Sequence, residues 1–270
     1  MHRPMSSLPA ATAAIAAAAI FAALACAWAA AGPAAPAPAA GRPAAEAGAA
    51  RPLKAVVIAG GHGYPEKEFP KVFEGNADIA CTFFTEKVGG EAYDDISKWD
   101  YDAIALYNFN RKLTDAQQAN LLKLLEKGVG LVVLHHAIAA YPDWPEWPKI
   151  FGARYYLKDV EEGGVKHARS GWKHDVDFKV RIADAAHPVT KGVADFAIHD
   201  ETYCRFDVDP KVHVLLTTDE PTSEKNIGWT KTYAKARVCF IVLGHDEKAY
   251  ASKEYRTLVA QAIRWTAGRL

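Results

Sequence analysis

Short apolar runs that end in glycine or histidine constrain the fold of this chain more than any other feature. The run over 53–59 leads into Gly60-Gly61-His62, the run over 129–134 into His135-His136, and the run over 238–243 into Gly244-His245-Asp246. Runs this short and this apolar are strands buried on both faces. Further strands are predicted over 79–84 and 102–107, with an irregular helix over 65–73. Before the 129–134 strand, Thr114-Asp115-Ala116-Gln117 is a capping box that opens a helix. Leu121, Leu122, Leu124 and Leu125 give that helix an apolar face, and Gly128 closes it. Strand and helix alternate, so the expected fold is a doubly wound α/β domain with a mostly parallel sheet and helices on both faces. The second half is less regular. Residues 141–173 show no period; Val176, Phe178, Val180 and Ile182 alternate with polar residues as in a half-exposed strand; another strand is expected over 212–217. A last helix starts near Ser252, with Tyr255, Leu258, Val259, Ala262 and Ile263 at helical spacing.

The first 29 residues carry a single charge, Arg3, followed by an Ala-rich apolar stretch. This is the pattern of a secretory signal, and the expectation is an exported, periplasmic or extracellular protein. Ala27-Trp28-Ala29 fits a cleavage site. Ala23-Leu24-Ala25-Cys26 resembles a lipobox, which makes lipid anchorage through Cys26 the alternative. Residues 30–52 are almost entirely Ala, Pro and Gly and read as a semi-rigid spacer. The stretch 53–270 then has the length of one large domain, and no stable membrane domain is expected. Thirty-two basic residues balance thirty-two acidic ones, so no nucleic-acid partner is expected. Cys81 and Cys239 sit in apparent buried strands and read as small core residues; no disulfide is assigned to them or to Cys204.

In an open parallel sheet, ligands bind at the carboxyl ends of the strands. Three separate strands deliver His62, His135-His136 and His245-Asp246 to that edge. A histidine at a strand end often only bonds a backbone carbonyl, but three at one edge point to a cleft with convergent imidazoles. There is no Gly-x-Gly-x-x-Gly and no Gly-Lys-Ser/Thr, so a phosphate loop is a poor reading. There is also no close-spaced zinc motif. A divalent metal such as Zn2+ would need ligands gathered from distant strands, among His62, His135 or His136, Glu201 and His245, and the sequence leaves metal binding open. Asp200-Glu201 offers a carboxylate as base or ligand. His167 and His174, near Arg169 and Trp172, read as parts of a lid over the cleft or as solvated loop residues; Asp246 either orients His245 or caps the next segment. His187-Pro188 reads as a turn.

Several motifs occur in a fixed order: Val132-Val133-Leu134-His135-His136-Ala137, His187-Pro188-Val189-Thr190-Lys191-Gly192, His199-Asp200-Glu201-Thr202-Tyr203, Gly228-Trp229-Thr230, Leu243-Gly244-His245-Asp246 and Ile263-Arg264-Trp265-Thr266-Ala267-Gly268. Together with the Gly-His after the first strand, this set resembles the ThuA-like (trehalose-utilisation) family over essentially all of 53–270. The resemblance implies a flavodoxin-like, class I glutamine amidotransferase-like fold. In that superfamily a nucleophilic cysteine occupies a tight strand-to-helix turn; His135 stands at what looks like that position. Imidazole cannot perform the thiolate's acyl chemistry, so glutamine hydrolysis is not expected. The resemblance also ranks Glu201 above Asp200, and it implies sugar catabolism, including keto-sugar routes.

The expected function is therefore an exported carbohydrate-processing enzyme, a hydrolase, lyase or isomerase. It would act on a small-molecule disaccharide, glycoside or keto-sugar derivative by His/carboxylate chemistry, with or without a metal. His135, His136 and Glu201 are the expected catalytic residues. Gly61, His62, Tyr203, Trp172, His245 and Asp246 are expected to bind substrate, and Trp144 is a second aromatic candidate for stacking on sugar. A non-catalytic sugar-binding protein, or a partner of another exported enzyme, is the alternative.

Overall fold

A computed structural model describes residues 51–270. The signal-like segment, Cys26 and all but the end of the spacer lie outside the described residues. The strands are β1 (Leu53–Gly60), β2 (Ile79–Thr85), β3 (Ala103–Asn108), β4 (Gly130–Leu134), the short β5 (Ala153–Arg154), β6 (Val160–Glu162) and β7 (Val165–His167), the long β8 (Gly171–Ile182) and β9 (Phe196–Cys204), the short β10 (Asp207–Val208), β11 (His213–Thr217), β12 (Asn226–Tyr233) and β13 (Ala236–Ile241). Nine of them form one sheet in the order β2-β1-β3-β4-β13-β12-β11-β8-β9. β2, β1, β3, β4 and β13 pair in parallel. The remaining strands extend this block antiparallel. Val56, Val132 and Ile241 accordingly stand in the parallel block.

The parallel strands form where the sequence is apolar throughout. Every residue of β3 and of β4 is buried, as sandwiching between covering layers requires. Helix α1 (Asp115–Glu126) starts as the capping box specifies. Thr114 Oγ1 accepts from the Gln117 amide at 3.3 Å, and Gln117 Oε1 accepts from the Thr114 amide at 2.8 Å. Such a cap contributes about 1 kcal/mol. α2 (Trp147–Phe151) and α3 (Glu247–Ala251) are short. α4 (Lys253–Thr266) is capped by Ser252 and buries Tyr255, Leu258, Val259, Ala262 and Ile263 against β4 and β13. No helix among the described residues is long and apolar enough to cross a membrane.

Three expectations need correction. The helix over 65–73 is only a 3-10 turn at Phe69–Val72. Cys81 is half-buried, because β2 is an edge strand and has a neighbour on one side only; Cys239 is buried as expected, and all three cysteines are free. β9 and β12 are strands that apolar patterning did not reveal. β8 alternates as predicted, with Val176, Phe178 and Val180 inward, but pairs with β11 over only Ile182 and Arg181.

Candidate functional site

At the end of β4 the chain makes a sharp elbow. Leu134 is extended, His135 takes φ 49, and a 3-10 helix follows over His135–Ala139. A non-glycine residue in the left-handed region costs on the order of 1–3 kcal/mol and persists only where its surroundings enforce it. Here the ring is locked. His135 Nδ1–H donates to the Val242 carbonyl at 2.8 Å, which turns Nε2 toward the cluster. Nε2 lies 3.1 Å from Glu201 Oε2, 3.2 Å from His245 Nδ1 and 3.1 Å from the Tyr203 hydroxyl. His245 Nδ1 is itself 3.3 Å from Glu201 Oε2. Three groups from β4, β9 and the turn after β13 thus meet at one point.

Each partner is held from behind. Asp200 is buried and accepts hydrogen bonds from the amides of Gly244 (2.7 Å), His245 (2.9 Å) and Glu201 (2.8 Å). It fixes the turn that presents His245 to the strand that presents Glu201. Burial raises its carboxyl pKa, and the His135 charge and three amides work against that rise. Glu201 and Tyr203, two apart on a strand, share a face. Burial disfavours the charge on Glu201, but hydrogen bonds to His135 and His245 outweigh it, and the carboxyl sits well below the ordinary range. The same hydrogen bond raises the pKa of His245. Burial drives the Tyr203 phenol well above its usual value, and Glu201 adds to the rise.

Glu201 Oε1 carries a further partner, His174 Nδ1, at 3.2 Å. β8 shifts register between Lys173 and Val176, with Asp175 at φ 55. A bulge of this kind re-aims a side chain, and here it accompanies a His174 that reaches the carboxylate. The ring nitrogens left over on His174 and His245, Nε2 in both, have no hydrogen-bond partner among the described residues. The pair therefore resembles two copies of a carboxylate–imidazole arrangement sharing one carboxylate.

Glu201, Tyr203 and His174 line a cleft of about 380 Å³, together with His62, His136, Phe109, Tyr155, Arg169 and Trp172. That volume is within the roughly 300–1,000 Å³ of small-molecule sites. His62 stacks on His136 with centroids 4.7 Å apart. His136 is buried, its Nε2–H pointing at the Tyr107 carbonyl at 3.3 Å. Burial, then the neighbouring His135 and His62, push its pKa far down and keep it neutral. Trp172 is 47% exposed, with the Arg169 guanidinium 4.9 Å from its ring centre.

Of the residues expected at the site, His135, His136, Glu201, His62, Tyr203, Trp172 and His245 are thus brought together. Gly61 and Asp246 have other work. Gly61 (φ 81) makes a close backbone approach: a Cβ there would lie 2.0 Å from the Phe109 carbonyl oxygen. Asp246 caps α3 through Oδ1 on the amides of Lys248 and Ala249, and does not line the cleft. Trp144 is buried beside Tyr141 and is a packing residue. His167 pairs with Asp207 and stacks on Tyr156. His135 is fully buried with both ring nitrogens engaged, so unaided it reaches a substrate only through Glu201, Tyr203 or His245. Sequence reasoning placed His174 only in a lid or a solvated loop. It had no signal for Tyr155 or Phe109, which look like any other core aromatic.

A sheet whose parallel half is β2-β1-β3-β4-β13, with a sharp strand-to-helix elbow at His135 after β4, has the class I glutamine amidotransferase-like fold. Within that class the chain belongs to the ThuA family, described as trehalose utilisation, which matches residues 84–266. The structure is similar to that of a protein described as ThuA-like from Parabacteroides merdae, with TM-score 0.66 and 19% identity over 80% of this chain and 90% of that one. A second such protein, from Bacteroides uniformis, gives TM-score 0.60 and 21% identity over 84% and 95%. PurLQS from Thermotoga maritima shares the fold more distantly, at TM-score 0.50 and 13% identity over 79% and 99%. No curated protein matches the chain.

Proposed function

We propose that this protein is an exported carbohydrate-processing enzyme that acts on a disaccharide, glycoside or keto-sugar derivative by acid/base chemistry in this cleft. The observation that carries the reading is Glu201, which contacts His135, His174 and His245 at once on the wall of an aromatic-lined cleft. Recognition of a neutral sugar needs flat apolar faces and hydrogen-bond donors, which Trp172, Tyr155 and Arg169 offer. It does not need several imidazoles organised around one ionised carboxylate. A carboxylate with so low a pKa is a weak base, so its role is to orient and charge the imidazoles. His174, whose Nδ1 faces Glu201, offers Nε2 to a sugar hydroxyl or to a proton beside a keto group. The family's link to trehalose utilisation supports the substrate class, and the signal-like N-terminal segment supports export.

The test is incubation of the purified protein with a panel of disaccharides, aryl glycosides and their keto derivatives, with products followed by mass spectrometry. Conversion of at least one member is expected, together with loss of conversion in His174→Ala. Saturable binding of a sugar without any conversion would replace the enzyme reading with that of a sugar-binding protein.

A further inference from the structure

We infer that His135 Nε2, Glu201 Oε2 and His245 Nδ1 are the protein ligands of one divalent transition-metal ion, with Zn2+ the ion this donor set suits. The inference rests on the same site as the proposed function but not on the sugar.

The three atoms are separated by 3.1, 3.2 and 3.3 Å, close to an equilateral triangle. They are also the described His, Cys, Asp and Glu donors that lie close enough together to share an ion. An ion about 2.0–2.1 Å from each of three tetrahedral ligands sets those ligands about 3.3–3.4 Å apart. The triangle is therefore nearly the size that zinc requires. Two imidazoles and one carboxylate with a fourth position open is also a donor set of catalytic zinc sites.

Hydrogen-bond accounting supports the ion independently. His135 Nδ1 donates to Val242, so the neutral tautomer of this ring would present the Nε2 lone pair to the cluster. Glu201 is a pure acceptor. Lone pairs from two or three atoms converge on a space that must hold either an extra proton or a cation. A backbone carbonyl behind a ligating imidazole is the outer-shell partner that fixes a metal-binding tautomer. Asp200 anchors the His245 turn, and His174 holds the far oxygen of Glu201, so all three donors are set before an ion arrives. Tyr203, near both His135 and Glu201, is placed to donate to the carboxylate. Because Glu201 and Tyr203 line the cleft, the open position faces the substrate space, where a sugar hydroxyl or water would complete the ion's shell.

The test uses the full chain stripped with EDTA and titrated with ZnCl2, read by isothermal calorimetry, by metal content after gel filtration and by the shift in melting temperature. One ion per chain is expected, with a higher melting temperature. Glu201→Gln and His245→Ala should each weaken binding at least about 100-fold, beyond the 10–100-fold typical of losing an outer-shell partner. His199→Ala, which alters the separate cluster with Asp175 and Asp177, should bind as the wild type does. Absence of uptake for both ZnCl2 and MnCl2, or uptake unchanged in both site variants, overturns the assignment. Stoichiometric uptake without turnover of any sugar would leave the metal site standing and remove the enzyme reading. Turnover by protein that takes up no metal would do the reverse.

Discussion

Glu201→Gln is expected to lower turnover of whichever sugar the wild type converts by roughly 10²–10⁴-fold, the range of a lost acid/base assembly, while circular dichroism stays unchanged. Glutamine keeps the volume and one carbonyl oxygen, so the packing between β9 and the β4 elbow survives. What it removes is the charge that raises His245 and the second acceptor that holds His174 at 3.2 Å. Its amide hydrogens would also point at imidazole lone pairs, reversing the polarity of the cluster. The effect should appear mainly in kcat, because the proposed sugar contacts of Trp172, Tyr155 and Arg169 are left unchanged. Steady-state kinetics decide it: turnover within threefold of wild type would remove Glu201 from the chemistry.

Gly244→Ala should produce a large loss of stability. Gly244 sits at φ 112, and a Cβ there would lie 2.2 Å from the Tyr255 hydroxyl oxygen and 2.6 Å from the ring carbon that bears it. Tyr255 is fully buried in the first turn of α4, so it cannot swing aside without opening the contact with the sheet. Backbone strain of ~1–3 kcal/mol adds to overpacking of ~1–3 kcal/mol. A total of about 2–6 kcal/mol corresponds to a melting temperature lower by roughly 4–24 °C in a domain of this size, at about 2–4 °C per kcal/mol. Gly192→Ala is the comparison. Its φ is 79, but nothing lies within 4 Å of the added methyl, so only the backbone strain of ~1–3 kcal/mol remains. Equal losses in the two variants, measured by thermal denaturation, would show that the Tyr255 contact is not what demands glycine after β13.

The parallel half of the sheet was legible because its strands carry a simple signal. β1, β3, β4 and β13 are covered on both faces and so are apolar nearly throughout, and α1 and α4 announce themselves through Thr114 and Ser252. β9 was not legible. Its second half, Asp200 to Tyr203, is buried on both faces although three of those four residues are polar: Asp200 serves the Gly244–His245 turn and Glu201 the cluster, and function there replaces the alternation a strand would show. The convergence of His62, His135, His136 and His245 followed from the rule for strand ends. His174 could not be found that way, since its approach to Glu201 goes with a register shift inside β8, which residue spacing does not encode. Gly61 stood beside a site residue in the sequence yet serves a close backbone approach, whereas Asp246 takes the capping role that was one of its two readings.

The central claim is that one cleft both holds the sugar and performs the chemistry. It is tested most directly by a crystal structure of the Glu201→Gln protein soaked with the sugar that the wild type converts. The account predicts the ring lying against Trp172 and Tyr155, with the atom to be deprotonated or protonated within about 3 Å of His174 Nε2 or of the side chain at position 201. A sugar bound elsewhere on the protein, with these residues untouched, would contradict it.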